Sequence, residues 1–107
     1  MSKTISVQDV PSLLAAGSGV TLIDARRKSD FDADPSSLPT AEWRDPEKTH
    51  EWGRSLPPQK EVILYCARGG SVSNAVLDRL LEQGIRARYI EGGIAAWKAA
   101  GGAVVKK

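Results

Sequence analysis

Residues 61–84 read EVILYCARGGSVSNAVLDRLLEQG, and this one stretch decides the fold class. Val62, Ile63, Leu64 and Tyr65 form an unbroken apolar run. Such a run suits a parallel strand covered on both faces, not one with a wet side. A glycine-rich turn follows at Ala67-Arg68-Gly69-Gly70. From Ser71 to Gln83, Val72, Val76 and Leu80 recur at helical spacing, as do Leu77 and Leu81. Gly84 stops the helix. A buried strand, a tight turn and an amphipathic helix in succession make one βα unit of a parallel sheet.

The same alternation continues on both sides. Upstream, Ile5-Ser6-Val7 reads as a short strand. Asp9 and Pro11 open a helix carrying Leu13, Leu14 and Ala15, and Gly17 and Gly19 punctuate its end. Val20 to Ile23 is a second strand ending at Asp24. Ser29 to Ala33 reads as one helical turn with Phe31 pointing inward. Pro35, Ser36, Ser37 and Pro39 mark irregular chain. Ala41 to Trp43 is a short third strand. Asp45-Pro46-Glu47 starts a helix expected to reach about Arg54, and Pro57-Pro58 blocks its extension. Downstream, Arg88-Tyr89-Ile90 is the last strand, and Gly92-Gly93 leads into a short helix with Ile94 and Trp97. The whole is an α/β chain with a mainly parallel sheet, expected to form a single domain over residues 1–107. Open sheets of this kind place their sites beyond the carboxyl ends of the strands. Asp24 and Cys66 both stand at such ends, and so on one edge of the sheet.

Composition narrows the function classes. The chain has 107 residues, 41% hydrophobic and 26% charged, a normal balance for a globular protein with one core. The net charge is +2, and the short basic runs Arg26-Arg27-Lys28 and Lys106-Lys107 read as solvated surface, not as a nucleic-acid footprint. No stretch has the apolar length of a membrane span, and the polar start lacks a secretory leader. The one cysteine precludes an intrachain disulfide, so a cytoplasmic location is expected. One cysteine and one histidine, His50, are too few for a structural zinc site, and no metal or other cofactor is expected.

Chemistry concentrates in Cys66-Ala67-Arg68-Gly69-Gly70-Ser71. A reactive cysteine works as its thiolate. This one follows a buried strand and precedes a helix N-terminus. Two glycines let the loop curl so that backbone N–H groups face inward, and the helix dipole adds positive potential there. Such a loop holds an anion and lowers the pKa of a thiol inside it. Arg68 adds a positive charge, and Ser71 and Ser73 add hydroxyl donors. A plain buried cysteine needs none of this, although free cysteines are usually just that. A phosphate-binding loop is the other reading, weakened because no lysine closes the loop before the helix.

Three segments together resemble the rhodanese family. Leu22-Ile23-Asp24-Ala25-Arg26 resembles its strand ending in Asp-x-Arg. Cys66 to Ser73 resembles its active-site loop. Tyr89-Ile90-Glu91-Gly92-Gly93-Ile94-Ala95-Ala96-Trp97 resembles its Gly-Gly segment followed by Trp. In the middle the pattern departs: Ser37-Leu38-Pro39-Thr40-Ala41 stands where a His-Ile-Pro-Gly-Ala type segment is usual, and Trp43-Arg44-Asp45-Pro46-Glu47 is also atypical. The resemblance implies a three-layer domain, with a central mainly parallel five-stranded sheet flanked by helices. It also implies a sulfurtransferase working through a Cys66 persulfide, with Ala67, Arg68, Gly69, Gly70, Ser71 and Val72 binding the donor. Asp24 and Arg26 are expected behind the residues that touch substrate, as a structural ion pair or in hydrogen bonds to neighbouring loops rather than in direct catalysis. Trp97 is expected in the core beside the helix that follows the cysteine, and His50 is expected exposed.

The implied partners are a small anionic sulfur donor such as thiosulfate and a thiol or cyanide acceptor, with a protein sulfur acceptor as the alternative. A non-catalytic binding module and a protein-fed persulfide carrier are rivals. A phosphatase or arsenate reductase is a weaker one. Phosphatases of the same fold need an arginine six positions after the cysteine to fork onto phosphate, and here that position is Val72.

Overall fold

The apolar run at residues 62–65 lies at the centre of a five-stranded sheet. The computed structural model describes residues 4–15, 20–56, 60–68 and 70–106. The strands of the sheet are β1 (Thr4–Ile5), β2 (Val20–Asp24), β4 (Glu42–Trp43), β5 (Glu61–Tyr65) and β6 (Ala87–Ile90), in the order β1-β6-β5-β2-β4, and every pairing is parallel. A separate antiparallel pair joins β3 (Ser36–Ser37) to β7 (Val105–Lys106), an element absent from the sequence reading. The helices are α1 (Val10–Ala15), α2 (Lys28–Ala33), α3 (Thr49–Gly53), α4 (Ser71–Glu82) and α5 (Gly93–Ala99).

Strand pleat divides the interior into two clusters, because successive side chains point to opposite faces. Leu22, Ile63, Tyr65 and Ile90 pack on one face with Val10 of α1 and with Ile94 and Trp97 of α5. Ile23, Val62, Leu64 and Ala87 pack on the other face with Trp52 of α3 and with Val76, Leu77 and Leu80 of α4. Trp97 therefore lies across the sheet from α4, not beside it as expected. Its Nε1–H donates to the Ala103 carbonyl at 2.7 Å, tying the chain after α5 to that face.

The helix expected over 45–54 is broken. A 3-10 turn at Pro46–Lys48, with Asp45 Oδ1 accepting from the Glu47 N–H at 2.9 Å, precedes α3. His50 is exposed there, as expected. Phe31 is only half-buried and packs on Trp43, with ring centroids 5.8 Å apart, outside both core clusters. Gly17, Gly19, Pro57 and Pro58 lie outside the described residues.

The connection leaving β2 runs outward to β4, whereas that leaving β5 runs the other way to β6. Adjacent strands whose connections diverge open a crevice at their carboxyl ends. Asp24 and Tyr65 are register partners there, and the Ala25 N–H donates to the Tyr65 carbonyl at 2.8 Å.

A buried ion pair fixes the wall of this crevice. Arg26 stands in a basic run read as surface but was also expected, with Asp24, as a structural ion pair; the pair is what forms, with Arg26 2% and Asp24 0% exposed, while Arg27 and Lys28 face solvent. Arg26 Nε donates to Asp24 Oδ1 at 3.0 Å and Nη2 to Oδ2 at 2.8 Å. The remaining donors reach the carbonyls of Asp34 (2.8 Å) and Ser36 (2.7 Å). Burial works against the Arg26 charge, but Asp24 more than offsets it and its pKa is raised. Arg26→Leu should strand the Asp24 carboxylate in the interior, lowering stability by about 3–5 kcal/mol in urea unfolding. Replacing both residues by apolar ones should recover part of that loss. A single variant as stable as the parent would refute the anchoring role.

Candidate active site

Cys66 follows β5 directly and is 5% exposed. No side chain caps α4, so its first N–H groups are free to point at whatever lies before the helix. Burial pushes the Cys66 thiol up. The Ser73 hydroxyl and the N–H groups of Gly70, Arg68 and Ser73 pull it back further, and the thiol ends below its ordinary value. Ser73 is 0% exposed, and its Oγ makes no hydrogen bond of ordinary geometry. It acts on the Cys66 thiol through its polarity, drawing the pKa down.

The loop is held in this form from outside. The Ile94 N–H donates to the Cys66 carbonyl at 3.0 Å, and the Ala95 N–H donates to the Ala67 carbonyl at 3.1 Å. A trans peptide points its carbonyl and its N–H in opposite directions. With the Ala67 carbonyl bound to α5, the Arg68 N–H of the same peptide is turned back toward the sulfur. This contact demands a glycine. A Cβ at Gly93 would lie 2.2 Å from the Cys66 oxygen and 2.8 Å from Arg68 N, and the residue has φ +62°. Sequence reasoning used Gly92-Gly93 as the lead into a short helix and as part of a resemblance. Its signal was the second glycine, one more than a helix start needs.

The other expected site residues are distributed as follows. Arg68 is exposed, Ala67 and Val72 are half-buried, and Gly70 and the backbone of Ser71 begin α4. Gly69 lies outside the described residues. Asp24 and Arg26 share the sheet edge with Cys66, but their side chains are consumed by each other and by the loop at 34–37. Ser37 Oγ donates to Asp24 Oδ2 at 3.4 Å, and the Leu38 N–H donates to the Tyr65 hydroxyl at 3.2 Å. Burial, and then the Asp24 charge, push the Tyr65 phenol far above its ordinary value, so it stays neutral. Beside the loop lies a cavity of about 300 Å³ between the 3-10 turn and α4, with Val72 in its lining. Among the described residues there is no group of side chains that could hold a metal ion. A buried thiol at a helix N-terminus that gives up its proton more readily than usual, beside an exposed arginine, is equipped to attack an electrophilic atom of a small anion.

Comparison with known proteins points to one family. The profile of the Rhodanese-like domain matches residues 6–100. Among solved structures, a rhodanese-related protein from Thermoplasma volcanium superposes with a TM-score of 0.84 at 24% identity, covering 98% of this chain and 99% of that one. A thiosulfate sulfurtransferase from Pseudomonas aeruginosa gives 0.80 at 20% identity, covering 99% of this chain but 20% of its own length. A protein from Rhodopseudomonas palustris, described as a possible tyrosine phosphatase, gives 0.81 at 23% identity, covering 97% of this chain and 85% of its own. At these identities the likeness establishes the fold. No curated protein matches the sequence.

The thiol shift has two measurable consequences. The rate of Cys66 alkylation by iodoacetamide should titrate below the ordinary 9.0. Ser73→Ala should move that midpoint up, because a lowering donor is lost; an unmoved midpoint would remove Ser73 from the sulfur's surroundings. For stability, the folded thiol binds its proton less tightly than the unfolded one. Stability should therefore rise with pH between the folded and unfolded values and fall away as pH drops through the folded one. Cys66→Ser should flatten that window in unfolding measurements.

Proposed function

The chain belongs to the rhodanese-like domain family, and from that membership we propose that it is a sulfurtransferase carrying sulfane sulfur as a persulfide on Cys66. The observation that supports this most is the set of donors converging on one sulfur: the Ser73 hydroxyl and the N–H groups of Arg68, Gly70 and Ser73. Donors placed around one atom suit a reaction in which negative charge stays there throughout.

In the first step the Cys66 thiolate attacks the outer sulfur of thiosulfate. The bond between that sulfur and the sulfonate breaks, its electron pair leaves with sulfite, and Cys66 holds a persulfide anion. In the second step a nucleophilic acceptor, cyanide in the assay or a thiol, attacks the outer sulfur. The S–S electron pair then returns to Cys66 as thiolate. This is double displacement through a covalent intermediate. The loop from Ala67 through Arg68, Gly69, Gly70 and Ser71 to Val72 receives the donor, and Arg68 orients its negative end. Asp24 and Arg26 position the neighbouring loop and touch no substrate. No general base is required where the loop itself keeps the thiol ionised. The lone cysteine suits a reducing compartment such as the cytoplasm, and residues 1–107 act as one domain. A phosphatase reading lacks its forked arginine, because the sixth position after Cys66 is Val72.

Intact mass after incubation with thiosulfate should show a gain of one sulfur on the native chain, lost on adding cyanide, and none on Cys66→Ser. Arg68→Ala should reduce kcat/KM for thiosulfate about tenfold, the lower end for a charged hydrogen bond, with cyanide discharge of the preformed persulfide little affected. Failure of the folded native chain to gain sulfur from thiosulfate, but uptake from a persulfidated protein, would instead favour a protein-fed carrier.

A further inference from the structure

Three consecutive carbonyls around the thiol are held from outside the loop. The Ala25 N–H donates to that of Tyr65 at 2.8 Å, the Ile94 N–H to that of Cys66 at 3.0 Å and the Ala95 N–H to that of Ala67 at 3.1 Å. The first of these clamps directly follows β2, and the other two stand at the start of α5. They reach the loop from opposite sides, because β2 and β6 are the two neighbours of β5 in the sheet. What ties the clamps to each other is the end of the chain.

After α5 the chain turns back along Trp97, which is buried. The Trp97 Nε1–H donates to the Ala103 carbonyl at 2.7 Å, and the Gly102 N–H donates to the Trp97 carbonyl at 2.9 Å. Gly102 lies against the indole itself, for a Cβ there would stand 2.2 Å from Cε2. Val105 and Lys106 then pair with Ser37 and Ser36, and Lys98 forms an ion pair with Asp34. Arg26 in turn donates to the carbonyls of Asp34 and Ser36, and it adjoins Ala25 in the chain. A continuous path therefore runs from the Cys66 carbonyl through α5, residues 102–106, β3 and Arg26 back to the Tyr65 carbonyl. Its closing segment is held mainly by backbone bonds and one indole, since Ala103, Val104 and Val105 are exposed. A segment with so little burial opens more readily than the core does.

We propose that residues 102–106 are a positioning strap for the active-site thiol: seated, they hold the start of α5 against the loop and so keep the Arg68 N–H aimed at the sulfur. The helix has seven residues, and Trp97 stands within one turn of Ile94 and Ala95, so a shift of the indole reaches both donors. A freed Ala67 carbonyl lets its peptide plane rotate, and the Arg68 N–H rotates with it. The Gly70 N–H and Ser73 belong to the α4 side and remain in place, so lifting the strap removes part of the pull on the thiol and leaves the rest. The inference concerns the thiol alone and goes beyond the persulfide reading, because it holds whatever the sulfur transfers.

Two full-length variants test it. Gly102→Ala drives a methyl into the indole, and Trp97→Phe keeps an apolar ring but drops the Nε1–H. In both, Cys66 alkylation by iodoacetamide should titrate at higher pH than in the native chain. At a fixed pH below the native midpoint its rate should fall about threefold, as expected for the loss of one neutral hydrogen bond. Leu80→Ala, late in α4 and in the cluster on the other face of the sheet, costs stability without touching the path, and should leave the midpoint where it is. Unmoved midpoints in both strap variants would overturn the proposal, and so would an equal shift in Leu80→Ala. Should Gly102→Ala not fold, Trp97→Phe decides alone. A native chain that takes no sulfur from thiosulfate would remove the persulfide reading and leave this titration intact.

Discussion

A buried thiol gives up its proton more readily only if donors face it, and a planar peptide turns its N–H inward when its own carbonyl is held on the other side. That requirement organises the loop after β5. Ile94 and Ala95, at the start of α5, take the carbonyls of Cys66 and Ala67. The Arg68 N–H is thereby turned to the sulfur, and the uncapped start of α4 supplies Ser73 from the other direction. Gly93 is the point at which the two segments touch, and any side chain there would strike the Cys66 carbonyl. A helix from the far end of the chain thus sets the state of a thiol at the end of β5. The two meet because β6, which precedes α5, pairs in parallel with β5 and delivers the next turn to the same edge.

The Asp24–Arg26 pair solves a different problem at that edge. The chain from residue 34 to 38 runs across the carboxyl ends of the strands with few regular backbone bonds, and its buried carbonyls need donors. One guanidinium supplies them. Its fork satisfies both carboxylate oxygens and still reaches the carbonyls of Asp34 and Ser36, which a lysine's single ammonium on a flexible stem would not hold in one geometry. The cost of burying two charges is offset because every polar atom around them is used. Tyr65 beneath them stays a neutral phenol that accepts from Leu38, so the wall next to Cys66 carries no stray charge.

Much of the fold was legible because its signals are local. The apolar run at 62–65, the helical spacing from Val72 to Leu80 and the Gly84 stop each depend on neighbours in sequence, and the structure returns them within a residue or two. The parallel sheet followed from the alternation of elements, and the shared edge of Asp24 and Cys66 followed from the sheet. What stayed hidden depends on partners far along the chain. The Asp24–Arg26 pair was expected, but the basic run around Arg26 reads as surface, and its full burial depends on the carbonyls of a later loop. Trp97 was placed on the wrong face because a short helix after a Gly-Gly turn leaves its direction of approach open. The pairing of β3 with β7 joins two-residue strands whose sequences, Ser36-Ser37 and Val105-Lys106, carry no period to read. The Ser73 hydroxyl was visible as a donor, but its pull on the Cys66 thiol was not.

Trp43 to Glu47, one of the two stretches that depart from the family pattern, contributes Pro46 and Glu47 to the surface beside the loop. Asp45 caps the 3-10 turn and so directs Pro46 and Glu47 toward the first turns of α4. Arg27 after β2, Glu47 in the 3-10 turn and Arg79 on α4 come from three separate elements that line one groove beside the loop. None of the three takes part in the bonds by which Ile94 and Ala95 hold the carbonyls of Cys66 and Ala67. The charge pattern of that groove is thus set independently of the peptide planes that face the thiol.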